Sequence, residues 1–134
     1  MDDALRAFVR KRAGFRCEYC QLREEDYEFQ RFHVEHIIPR QHDGTDDPNN
    51  LCFSCSLCNW YKGTNLAGLI GDKVVALFHP RRQTWKRHFR WYLTTLVGKT
   101  KIGMVTVRVL RINDEPRIML REGLLFEGRF PPKE

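Results

Sequence analysis

Cys17-Glu18-Tyr19-Cys20 and Cys55-Ser56-Leu57-Cys58-Asn59 bracket the stretch that decides how this chain folds. Each pair leaves two residues between its cysteines, and a turn of that length presents two sulfurs to one ion. Two such turns complete a tetrahedral set of four thiolates, the closed coordination of a structural zinc. The expected zinc ligands are therefore Cys17, Cys20, Cys55 and Cys58. The 34 residues between the pairs exceed zinc-ribbon spacing, so the clip encloses a sizeable insert whose closure by metal contributes to folding. Cys52 and Cys55 share the same spacing, but Cys52 lies in the apolar run Leu51-Cys52-Phe53 and reads as a buried small residue.

The insert carries His33-Val34-Glu35-His36-Ile37-Ile38-Pro39 and then Asn49-Asn50-Leu51. Phe29 to Ile38 is rich in β-formers and predicts a strand ended by Pro39, which cannot donate to a ladder. Residues 41–50 are polar, with Gly44 and Pro48, and predict a loop. Leu51 to Phe53 is a second short strand, and Cys55 to about Lys62 a helix stopped by Gly63. His36 is a natural general base, because an unperturbed imidazole titrates near neutrality. Glu35 and the amide oxygen of Asn59 are hard oxygen donors of the kind Mg2+ prefers. Neighbours on a flat strand point to opposite faces, so Glu35 and His36 serve one site only if the strand bends or ends there.

Outside the insert, residues 3–12 predict a helix capped by Asp3, with Ala4, Leu5, Phe8 and Val9 as its apolar stripe. Val74 to Phe78 is a strand candidate, and Trp85 to Leu96 is ambiguous between strand and helix. Residues 102–112 and 115–126 lean towards helices. The 134 residues suit one domain, with 13–64 as its stapled core and 65–134 as a basic extension.

The net charge of +6 is concentrated in one place. Residues 1–72 hold 9 basic and 12 acidic side chains, residues 114–134 hold 4 and 5, and residues 73–113 hold ten basic and none acidic. Such a block suits a polyanion, because each neutralised phosphate releases counterions. Arg81, Arg82, Lys86, Arg87 and Arg90 interleave with Trp85, Phe89, Trp91 and Tyr92, offering phosphate forks beside rings that either stack on bases or fill the core. No apolar run approaches the roughly 18 residues of a membrane span, and the acidic start Met1-Asp2-Asp3-Ala4 has no apolar signal core. A cytoplasmic chain is the expectation, which disfavours disulfides and leaves zinc as the reason for the cysteines.

Cys17-x2-Cys20, Glu35-His36-Ile37-Ile38-Pro39, Asn50-Leu51 and Cys55-x2-Cys58-Asn59-x2-Lys62-Gly63 together resemble an HNH endonuclease of the zinc-bearing subtype. Leu77-Phe78-His79-Pro80-Arg81, Trp85, His88-Phe89 and Gly98-Lys99-Thr100 more loosely resemble a group of small bacterial HNH proteins. The resemblance implies an α+β fold with a ββα-metal core, a four-cysteine zinc staple, an N-terminal helix and a basic C-terminal α/β extension. It implies His36 as general base, Glu35 and Asn59 as ligands of a catalytic Mg2+ or Mn2+, and Asn50 as the residue orienting His36 through hydrogen bonds. The substrate implied is DNA, with RNA still open, cut to 5′-phosphate and 3′-hydroxyl ends. Lys62 is a candidate phosphate contact. Two positions depart from the common pattern: asparagine stands at the last motif position, and glutamate replaces the more usual aspartate before the base. The rival expectation is a zinc-stapled nucleic-acid-binding module without catalysis.

Overall fold

In the computed structural model, which describes residues 1–132, the four cysteine sulfurs lie within 4.8 Å of one another, all buried. Cys20 and Cys55 bring their sulfurs to 3.8 Å. Zn–S bonds of about 2.3 Å set a tetrahedron edge of roughly 3.8 Å, so these cysteines are positioned to bind a zinc ion. Each knuckle folds onto its own first sulfur: the Cys20 amide donates to Cys17 Sγ at 3.5 Å, and the Cys58 amide to Cys55 Sγ at 3.4 Å.

Between the knuckles, strand β1 (His33–His36) pairs antiparallel with β2 (Leu51–Ser54), setting Glu35 opposite Cys52 and His36 opposite Leu51. The expected strand from residue 29 is cut to four residues. Its partner has only four to offer before Cys55 caps the next helix, α2 (Ser56–Lys62), which stops at Gly63. Helix α1 (Asp3–Arg12) lies against the hairpin and buries Val9 with Leu51 and Phe53. Its cap is Asp2, whose carboxylate accepts from the Leu5 amide at 2.8 Å, and not Asp3 as the sequence predicts. The apolar stripe is narrower than expected, with Ala4 and Phe8 exposed. Arg12 ties the helix down by donating to the carbonyls of Pro48 (3.0 Å) and Leu51 (2.8 Å).

The rest of the chain is two further hairpins on helices. β3 (Ala67–Ile70) pairs with β4 (Lys73–Ala76), and β5 (Phe89–Tyr92) with β6 (Thr95–Gly98), all antiparallel. The ambiguous stretch is thus both: one helical turn, α3 (Trp85–His88), followed by the β5–β6 hairpin. The strand expected at 74–78 is β4, and its partner β3 is unforeseen. Helix α4 (Lys101–Val109) packs on β3, β4 and β6, and α5 (Glu115–Phe126) follows. The molecule is a mixed α/β assembly of short antiparallel strand pairs. Among the described residues no helix is long and apolar enough to cross a membrane.

Helix α4 seats on the β5–β6 side through glycines. A Cβ on Gly103 would lie 2.1 Å from the His88 carbonyl oxygen, and one on Gly98 would lie 2.3 Å from the Met104 nitrogen. The motif-like residues Phe78, Trp85, His88 and Phe89 explain themselves here as packing. Their rings form a contact chain, and His88 Nδ1 meets Thr100 Oγ1 at 2.6 Å. Trp85 also joins this layer to the first knuckle, its indole N–H donating to the Tyr19 carbonyl at 2.8 Å.

Helix α5 closes over the cysteine centre. Arg117, 6% exposed, donates from Nη2 to Cys58 Sγ at 3.0 Å, with Cys55 Sγ at 3.8 Å, and from Nη1 to the Leu110 carbonyl at 2.8 Å. Arg121, also buried, donates to the carbonyls of Thr94 and Ile112. Four thiolates around a dication leave a net charge of −2. A buried charge of that kind needs a paired and hydrogen-bonded counterion, and Arg117 is placed to be one.

Two outcomes follow from this packing. Gly103→Ala forces a side chain into backbone, so urea unfolding should show a loss of at least about 1–3 kcal/mol. Structural zinc contributes on the order of 10–16 kcal/mol against a net stability of about 5–15 kcal/mol. Chelation, or Cys58→Ser, should therefore unfold the knuckles and hairpin cooperatively, read by circular dichroism melts, and elemental analysis should find about one zinc per intact chain.

Candidate functional site

The β1–β2 hairpin and helix α2 enclose an open groove of about 400 Å³ whose walls include His33, Glu35, His36, Asn59, Gly63 and Thr64. Three of the residues singled out from sequence, Glu35, His36 and Asn59, meet here. Strand β1 ends at His36. The two neighbours engage different partners, as alternation along a strand requires, yet both contribute to the wall of the same groove.

Glu35 turns inward. It is 8% exposed, with Oε1 3.6 Å from the Cys52 thiol and Tyr19 beside it. Burial pushes its carboxyl up to about 7, while the charge of Lys62 pulls the other way. Lys62 is 2% exposed, and its ammonium is buried without a hydrogen-bond partner among the described residues. This corrects the expectation that Lys62 contacts phosphate: its stem runs into the core from the last turn of α2, and its charge acts on Glu35. The same burial accounts for Cys52, held as a neutral thiol between Glu35 and Tyr19.

His36 turns to the loop. Its Nε2 lies 2.7 Å from Asp46 Oδ1, and Arg40 Nη2 approaches the same oxygen at 3.0 Å. The Asp46 carboxyl is held below the usual carboxylate range, first by His36 and then by Arg40. The resemblance implies that Asn50 hydrogen-bonds to His36, but its side chain bonds other partners. Its Oδ1 accepts from the Ile38 amide (2.8 Å), and its Nδ2 donates to the carbonyls of Ile38 (3.0 Å) and Thr45 (2.8 Å). It clasps the two ends of the loop that follows β1, and so acts on His36 through loop position. Gly44 belongs to the same clasp. Its amide donates to the Pro39 carbonyl at 3.0 Å, and a Cβ would fall 1.6 Å from the Ile38 oxygen, a closeness only glycine permits.

Asn59 follows the ligand Cys58 on α2, half-buried in the groove wall. Of the other polar side chains in this segment, His33 is half-buried in the same groove, whereas His42 and Asn49 are exposed in short turns of the loop. Glu35 and Asn59 both line the groove, and a carboxylate with an amide oxygen is a donor set whose chemistry suits a hard divalent cation.

The basic side chains divide. Arg82, Lys86, Arg87 and Arg90 are exposed on and around α3 and β5. Arg81 is not: it forms a close ion pair with Glu18, mostly buried, and desolvation lowers its guanidinium to about 10. That pair fastens the extension to the first knuckle, since Glu18 also accepts from the Phe53 amide at 2.8 Å. Arg81 is thus a structural contact and not a free phosphate fork.

Two residues of the site and its frame escaped the sequence reading. Asp46 is one of three aspartates in an undifferentiated polar loop, and nothing in its spacing marks it as the partner of His36. Arg117 lies 59 residues beyond the last cysteine, in a stretch of balanced charge.

The family model described as HNH endonuclease matches residues 17–65. The Septu protein PtuB of Bacillus thuringiensis is 31% identical over 110 residues, an alignment covering 78% of this chain and 39% of that protein. The chain thus spans about two fifths of the length of the curated relative it matches. No solved structure matches it. The segment from the first knuckle through α2, which holds the cysteine cluster and the groove together, is the part of the chain that the HNH endonuclease model matches.

Proposed function

We propose that this chain is a metal-dependent endonuclease that hydrolyses phosphodiester bonds in DNA. The observation that carries the reading is the convergence of Glu35, His36 and Asn59 on one open groove between the hairpin and α2. The β1–β2–α2 order supports the reading of a ββα-metal unit, and the HNH match over residues 17–65 supports nuclease chemistry.

In this reading Glu35 and Asn59 hold one Mg2+ or Mn2+. When bound, the cation supplies charge stabilisation for the phosphate and the leaving oxygen. His36 takes a proton from water, whose oxygen forms the new bond to phosphorus as the bond to the 3′-oxygen breaks, and the departing oxygen takes a proton from solvent. The products carry 5′-phosphate and 3′-hydroxyl ends. Arg82, Lys86, Arg87 and Arg90, exposed on and around α3 and β5, bind the DNA backbone. Contacts of that kind hold the strand in register without reading its sequence.

Incubating the zinc-loaded chain with plasmid and Mg2+ or Mn2+ should nick it, and EDTA should stop the reaction. His36→Ala should lower the rate about 10²–10⁴-fold, the usual contribution of a general base. Glu35→Gln and Asn59→Ala should raise the Mn2+ concentration needed for half-maximal rate. DNA binding without cleavage in either metal would replace the nuclease by a zinc-stapled binding module, and cleavage unaffected by His36→Ala would remove the base. Separately, each of Arg82→Ala, Arg87→Ala and Arg90→Ala should weaken DNA binding and reduce the slope of log K against log salt by about one for every phosphate no longer neutralised. Fluorescence anisotropy across a salt series measures this.

A further inference from the structure

The loop after β1 does more than connect strands. Asn50 and Gly44 clasp it to the backbone of Ile38 and Pro39, and the clasp sets Asp46 Oδ1 2.7 Å from His36 Nε2. A neutral imidazole carries one proton on one of two nitrogens, and the partner of one nitrogen decides which. An ionised carboxylate can only accept. Arg40, 3.0 Å from the same oxygen, favours that ionised form. With a carboxylate at hydrogen-bond distance, the proton belongs on Nε2 and the free lone pair on Nδ1.

We propose that Asp46 is the positioning residue for His36: its carboxylate holds the ring in the Nε2–H tautomer, leaving Nδ1 as the atom that takes the proton from water. The second half of this statement rests on the nuclease reading, but the first half does not. Asp46 itself touches no substrate. The alternative role for Asp46 is a surface ion pair with Arg40, which contributes little in water and has no bearing on the imidazole.

The tautomer can be read directly. The full zinc-loaded chain, with histidine labelled in 15N, is studied by long-range 1H–15N correlation at a pH where His36 is neutral, with His36→Ala to assign the ring. The wild type should show Nε2 protonated and Nδ1 bare. Asp46→Ala, and the near-isosteric Asp46→Asn as the variant least apt to disturb the fold, should show averaging between the two tautomers, with zinc content and melting temperature held. Asp46→Glu should restore part of the Nε2–H preference. Arg40→Ala removes the ion pair and should leave the tautomer in place. A wild-type ring protonated on Nδ1, or an Nε2–H population unchanged in both Asp46→Ala and Asp46→Asn, would overturn the proposal.

Cleavage kinetics then test the link to chemistry. Asp46→Ala should lower kcat on the order of 10²-fold with KM little changed, less than the roughly 10⁴-fold loss when a buried carboxylate behind a catalytic histidine is neutralised, because Asp46 is partly exposed. An unchanged kcat alongside a lost tautomer preference would overturn the role of Nδ1 as base. If the wild type cuts no nucleic acid yet shows an Asp46-dependent tautomer, the nuclease reading fails while the pairing stands.

Discussion

Convergence of four thiolates from two knuckles is the constraint on which the rest of this structure depends. The cysteine pairs are separated by 34 residues in sequence, yet their sulfurs lie within 4.8 Å in space. Everything between them is therefore returned to one place, and a hairpin of two four-residue strands that would be marginal alone gains a fixed base. The centre is also an electrostatic demand. Four thiolates around a zinc ion would carry excess negative charge, and Arg117 stands against the cluster from the far end of the chain. The C-terminal helix is thereby recruited to the N-terminal knuckles by charge as well as by packing, which makes residues distant in sequence part of the metal site's stability.

A second layer of constraint builds the groove. β1 stops at His36, and the loop that follows is bound back onto Ile38 and Pro39 by Asn50 and Gly44. The corner places a half-buried imidazole beside an almost fully buried carboxylate. The two environments separate their behaviour: Glu35 is desolvated and balanced by an internal lysine, whereas His36 sits at the edge of water with an anionic neighbour. Two adjacent residues are thereby given different chemistry by the faces of one strand.

How much of this was legible depended on how local each cause is. The cysteine spacing, the hairpin and α2 follow from short-range rules, and the sequence placed them to within a few residues. Helices α4 and α5 agree with the lean towards helix over residues 102–112 and 115–126, although the β-branched residues of the first stretch also suit a strand. The β3 strand was not, because Ala67-Gly68-Leu69-Ile70 is too short and small-residue-rich to stand out, and it exists through its pairing with β4 and the seating of α4. Glu35, His36 and Asn59 could be picked out by the motif that contains them. The partners that set their surroundings are not marked there: Lys62 and Arg81 read as phosphate contacts, though one is buried near Glu35 and the other pairs with Glu18, and Asp46 reads as one aspartate among several. Side-chain partnerships across a fold leave no periodic trace in sequence.

Helix α2 begins on one of the four clustered cysteines. Cys55 is its N-cap, its sulfur accepting the Cys58 amide, and Asn59 is the next residue after the second ligand of that knuckle. The angular phase of the helix is consequently locked at its first turn, and each residue advances the side-chain direction by about 100°. Asn59 faces the groove because it stands one step from a sulfur whose direction the tetrahedron dictates. Substitutions in this segment alter chemistry in place, but a single inserted or deleted residue after Cys58 would rotate the groove-facing position round the helix. The centre thus acts as an angular index as well as a staple, and the segment it indexes is intolerant of length change to a degree that its short, ordinary-looking sequence does not advertise.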